Sequence, residues 1–147
     1  MRNTFLALVS VILLSLAACS PKGTATATIA VTFGDPPTVS TDEFFVDSAT
    51  AEIKSVTFLR HTGETLKLPE KWKLSQDEVV AKLRHVISVR SGNEPGQLVI
   101  IASGLDHQTA VNMLNELCGF YVSQESWISE NGGPRRKENV KIIQRAK

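Results

Sequence analysis

Asp106 and His107 stand side by side just past the apolar run Leu98-Val99-Ile100-Ile101-Ala102. A carboxylate beside an imidazole at the carboxyl end of a strand is an arrangement that could move a proton. The same Asp106 suits a simpler role. Directly before a helical stripe it accepts a backbone N–H as an N-cap, which leaves His107 as an exposed first-turn residue. The scaffold role is the expected one. His61 and His85 are scattered, with no HExxH and no paired ligand spacing, and GxSxG, GxxxxGK and GxGxxG are all absent. No catalytic residue, metal site or cofactor is therefore expected. Trp72 and Trp127 offer faces on which a ligand ring could stack, with packing at the core or its rim as the competing use. Asp106, His107, Trp72 and Trp127 make up the pocket candidates.

The chain has two cysteines, Cys19 and Cys118. Cys19 ends a segment with a positive start, Arg2, an apolar core from Phe5 to Leu16, and small Ala17 and Ala18. That order describes a secretory signal rather than a membrane span, since a span needs about 20 apolar residues. Leu16-Ala17-Ala18-Cys19 resembles the lipobox of bacterial lipoproteins. The resemblance implies cleavage between Ala18 and Cys19, a diacylglyceryl group on the Cys19 thiol and an acyl chain on the new amine. Residues 1–18 would then be a signal peptide and residues 19–147 a single lipid-anchored domain facing the periplasm. Ser20, by resemblance to enterobacterial lipoproteins, favours the outer membrane. With Cys19 acylated, Cys118 has no disulfide partner and is expected as a small buried apolar residue.

The 16 Lys and Arg face 15 Asp and Glu, and removing Arg2 with the signal leaves 15 against 15. A neutral chain of this kind is no obvious nucleic-acid binder. Its charges are segregated, however, with five acids from Asp35 to Glu52 and a basic stretch from Arg135 onward. The basic stretch could meet anionic envelope polymers or lipid head groups, but no aromatic residues interleave with it, so a solvated chain end is the expected reading.

One domain is all that 129 residues from Cys19 comfortably fill. Ala25, Ala27, Ile29, Val31 and Phe33 alternate with Thr24, Thr26, Thr28, Ala30 and Thr32, which predicts a strand close to the anchor. Gly34-Asp35-Pro36-Pro37 breaks it, and a loop is expected through Asp47. Glu52 to Arg60 reads as a strand, His61-Thr62-Gly63-Glu64 as a turn and Thr65 to Leu68 as the returning strand of a hairpin.

Ser75-Gln76-Asp77-Glu78 has the form of a capping box, with Val79, Val80, Leu83, Val86 and Ile87 in one stripe, so a helix is expected from Ser75 to Ser88. Asp106 opens a second helix whose stripe is Ala110, Val111, Leu114, Leu117 and Cys118, with Gly119 as its stop. Leu98 to Ala102 is the expected central strand. Phe120, Tyr121, Val122, Trp127 and Ile128 suggest another, Asn131-Gly132-Gly133-Pro134 a turn, and Val140, Ile142 and Ile143 a closing strand. The expected fold class is α+β, a small sheet of about five or six strands with two helices packed on one face.

From Glu52 to Lys147 this order also resembles the periplasmic domain of the ExbD/TolR family, most closely where the strand Leu98 to Ala102 leads into DHQTAVNMLNELCG, Asp106 to Gly119. The resemblance implies the fold and contact with envelope or cell-wall partners. It brings no catalytic residue. That family keeps an uncleaved membrane helix with a functional acid, and Phe5 to Ala18 contains none. The expected function is thus a lipid-anchored envelope protein that binds, as part of an envelope assembly. The alternatives are an envelope enzyme using Asp106 and His107, and an accessory lipoprotein of secretion or conjugation.

Overall fold

The computed structural model describes residues 22–33, 44–124 and 137–147. Cys19, Trp127 and Ile128, the signal segment and the turn expected at residues 131–134 lie outside them.

The alternating segment forms β1, Lys22–Phe33, with Ala25, Ala27, Ile29 and Val31 buried and Thr24 and Thr26 exposed. A period of two allows this, because successive side chains of a strand leave opposite faces. β1 pairs antiparallel with β3, Gln97–Asp106, on one side and with β4, Lys137–Gln144, on the other. β2, Ile87–Ser91, pairs antiparallel with β3, giving the order β2-β3-β1-β4. Register places Ala27 opposite Ile100 and Ile29 opposite Leu98, so these side chains share the face that the helices cover.

Five helices are described: α1 Phe44–Ile53, α2 Val56–Thr65, α3 Leu68–Trp72, α4 Gln76–Val86 and α5 His107–Ser123. The class is α+β. Four strands stand among the described residues where five or six were expected, and three helices more than the two expected.

The largest departure is the hairpin expected between Glu52 and Leu68, which is helical throughout except at its joints. Ser55 is an N-cap, its Oγ accepting from the Phe58 N–H at 3.4 Å. Phe58, Leu59, Thr62 and Gly63 are all buried, a spacing that a helix brings to one side and an alternating strand would split between two. Gly63 lies within α2 rather than in a turn. A Cβ there would come within 3.0 Å of Val79 Cγ1, so the missing side chain lets α2 approach α4.

Of the loop expected from the Gly34-Asp35-Pro36-Pro37 break through Asp47, residues 34–43 lie outside the described residues, and Phe44 to Asp47 are helical instead, in α1, which buries Ala49 and Ile53. α4 has both halves of its capping box: Glu78 N–H donates to Ser75 Oγ at 3.4 Å, and Ser75 N–H to Glu78 Oε2 at 2.8 Å. These bonds hold the Glu78 carboxyl below its usual range. α4 stops at Val86, two residues before the expected end, since Ile87 already has extended geometry and belongs to β2.

α5 buries Ala110, Met113, Leu114, Leu117, Cys118 and Tyr121 against β1 and β3. Each fully buried Leu or Met side chain contributes about 1.5–3 kcal/mol. Gly119 does not stop this helix, and Phe120, Tyr121 and Val122 continue it instead of forming a strand. Packing of Tyr121 into the core outweighs the helix-breaking tendency of one glycine, which is worth only about 1 kcal/mol. Gly119 is exposed, and a Cβ there would meet nothing within 4 Å. Gly119→Ala is accordingly expected to stabilise the domain by about 0.5–1 kcal/mol. A lowered midpoint in thermal unfolding would contradict this.

Candidate functional site

β3 passes directly into α5, and the joint begins with a bulge. Thr24 pairs with Ser103 and Gly23 with Leu105, leaving Gly104, at φ 82°, without a cross-strand partner. Such an insertion bends its strand locally. The bend lies two residues before Asp106, which is both the last residue of β3 and the N-cap of α5.

The Asp106 carboxylate accepts from the Thr109 N–H at 2.9 Å. Thr109 is only 2% exposed, and its Oγ1 accepts from Lys71 Nζ at 2.8 Å, which pins α3 to the first turn of α5. Hydrogen bonding by Thr109 holds the Asp106 carboxyl below its usual range, and the Lys71 charge acts in the same direction. An ionised carboxylate already engaged by a helix terminus is a poor proton donor. His107 follows it, exposed, beside the start of β1. A Cβ on Gly23 would fall 2.9 Å from His107 Cβ, so only glycine lets the strand pass this close.

α3 is a single turn. Leu68 anchors it, 1% exposed, and Lys67 and Lys73 bracket it at φ 52° and 55°. Left-handed geometry costs a residue with a Cβ roughly 1–2 kcal/mol, which is why glycine or asparagine is usual there. Trp72 is half-buried against the core, and the Lys82 ammonium lies over its ring, 4.1 Å from the centroid. A contact of this kind contributes about 0.5–1 kcal/mol at an exposed site.

No protein-family model matches the chain, and no curated protein matches it. The reading of the site therefore rests on its own chemistry.

Of the four pocket candidates, Asp106 and His107 meet at the head of α5, and Lys71 links α3, which carries Trp72, to the same turn. Trp127 lies outside the described residues. His61 is elsewhere, on α2, stacked on Phe120 with centroids 3.8 Å apart and with Nε2 3.3 Å from Glu116 Oε1. Among the described residues no three His, Cys, Asp or Glu side chains are grouped to hold a metal.

The lysines of this region are not among the residues that the sequence singles out. Lys67-Leu68-Pro69-Glu70-Lys71-Trp72-Lys73 has three bases around one tryptophan, an interleaving of base and aromatic that the basic C-terminal stretch lacks. A strand ending at Leu68 cuts that segment in two.

Proposed function

We propose that this protein is a lipid-anchored component of the bacterial cell envelope that acts by binding, as an accessory or structural part of an envelope assembly. The observation that carries the reading is Leu16-Ala17-Ala18-Cys19 directly after an apolar signal core. A diacylated Cys19 fixes the chain to a membrane, with the domain on the periplasmic side and Ser20 favouring the outer membrane. The resemblance to the ExbD/TolR periplasmic domain keeps its support where an apolar strand leads into an Asp-capped helix. It loses that support between Glu52 and Leu68, which are helical. An envelope protein or cell-wall polymer is the proposed partner.

Against an enzyme stands the state of Asp106, whose carboxylate serves the helix terminus and Thr109. One set of variants separates the two readings. Asp106→Asn should cost little stability, because Asn also caps well, Asp106→Ala should lose about 0.5–2 kcal/mol, and His107→Ala should be nearly neutral. In cells lacking the protein, Asp106→Asn and His107→Ala should restore the deletion phenotype to normal, while Cys19→Ser should not. Folded Asp106→Asn and His107→Ala variants that both fail to complement would replace the binding function with catalysis.

A further inference from the structure

The lysines around Trp72 and the start of β1 occupy the same end of the domain. Lys71 is tied to Thr109 on the first turn of α5, and Gly23 packs against His107 on that turn. Lys22 and Gly23 are paired with Asp106 and Leu105. From Cys19 to Gly23 the chain spans at most about 14 Å even when fully extended. An acyl chain on Cys19 therefore holds this end of the domain beside the head groups. The turn between β2 and β3 lies at the other end of β3, about 30 Å from Asp106.

We propose that Lys67, Lys71, Lys73 and Lys82, with Trp72 among them, form a docking surface for anionic lipid head groups, so that the anchored domain rests on its membrane in a fixed orientation. The proposal deepens the anchored reading above and rests on it. Four lysines lie on or against one short helix that carries Glu70, and the carboxylates next to it in sequence are engaged elsewhere: Glu64 accepts from Gln76 Nε2, Asp77 pairs with Arg60, Glu78 serves its capping box and Asp106 is occupied as a cap. Lys67, Lys73 and Lys82 are exposed and available to phosphate groups. Trp72, half-buried with a cation over its ring, is the amphipathic type of side chain found at the water–lipid boundary. The backbone points the same way. Lys67 and Lys73 both occupy left-handed positions where glycine or asparagine would be cheaper, so their charge has a use outside the fold.

The test uses the chain from residue 19 onward carrying Cys19→Ser, which contains every described residue and cannot be acylated on the thiol. It is sedimented with vesicles of phosphatidylglycerol and phosphatidylcholine in equal parts, and with vesicles of phosphatidylcholine alone. Binding is expected only to the anionic vesicles, and it should weaken as salt is raised. Lys67→Asn and Lys73→Asn suit the left-handed backbone, so the thermal midpoint should hold or rise while partitioning falls about fivefold for each lysine removed. Equal binding to both vesicles, no binding to the anionic ones, or an unaffected double variant would overturn the proposal. So would preference for a soluble polyanion such as heparin over the vesicles, which would assign the patch to a polymer. Acylation of the wild type is read separately by palmitate labelling. A labelled wild type whose Cys19→Ser form ignores phosphatidylglycerol refutes the patch and leaves the anchor, and the reverse result supports the patch and refutes the anchor.

Discussion

Cells expressing the Cys19→Ser variant are expected to contain the protein in their soluble fraction, unlabelled by an alkyne analogue of palmitate, whereas the wild type is labelled and stays with the membranes. The size of the change follows from the number of chains. Each buried methylene contributes about 0.8 kcal/mol, so a single acyl chain binds marginally and reversibly, while two or three hold firmly. The Cys19 thiol is the expected point of attachment, and its removal takes away the diacylglyceryl group. The lysines around Trp72 do not compensate, at about 1 kcal/mol each near an anionic surface and less in salt. Membrane retention of the variant, with no label on the wild type, would defeat the anchored reading.

Cys118 should react with a thiol reagent about a thousandfold more slowly in the native protein than in the unfolded chain at pH 8. It lies on the core face of α5 beside Leu114 and Leu117 and is 1% exposed. Burial pushes its thiol up from 9.0 to about 12, with the Arg145 charge opposing. The reactive thiolate is therefore scarce and also out of reach. Fast native labelling would reopen a chemical role for this residue.

The same shift sets a pH dependence. Between pH 9 and about 12 the folded thiol keeps a proton that the unfolded thiol releases, so stability is highest below this window and falls through it. The slope approaches about 1.4 kcal/mol per pH unit for one group. Burial also pushes the Tyr121 phenol up, with the Glu52 charge adding, and steepens the loss above pH 10. Denaturant titrations of the wild type and Cys118→Ala across this range should differ most in the slope of stability against pH between about pH 10 and 11, midway between the two thiol values.

What can be read from residues alone is whatever carries both a period and a punctuation mark. β1 alternates strictly. α4 has its capping box, and α5 has Asp106 at its head and a stripe from Ala110 to Cys118 behind it. The region from Phe44 to Trp72 misleads because its signals conflict. Ile53, Val56 and Thr57 are β-branched and Gly63 resembles a turn, but Ser55 caps a helix and Phe58, Leu59, Thr62 and Gly63 share one buried side of it. Gly119 misleads in the same way, because tertiary packing beyond it carries α5 to Ser123. At the site, the cap role of Asp106 is legible from its position. Lys71 is not, because its bond to Thr109 joins residues 38 positions apart and leaves no local pattern.

The placement of β1 also governs when the domain can assemble. It is the first of the described strands in chain order, yet both of its neighbours come later: Lys22 waits for Asp106, and Thr28 waits for Gln144. A chain synthesised from its amino end therefore carries a long alternating strand with both edges bare until β3 has emerged, and with one edge bare until β4 has. Loop-closure entropy must be overcome before such distant pairings reward it, so folding is slow relative to a helical bundle of this size. During that interval β1 offers its backbone to any other extended chain, including another copy of itself. The sheet thus closes only once β4 has joined β1, and a holding chaperone has most to protect until then in the twelve residues of β1, Lys22–Phe33.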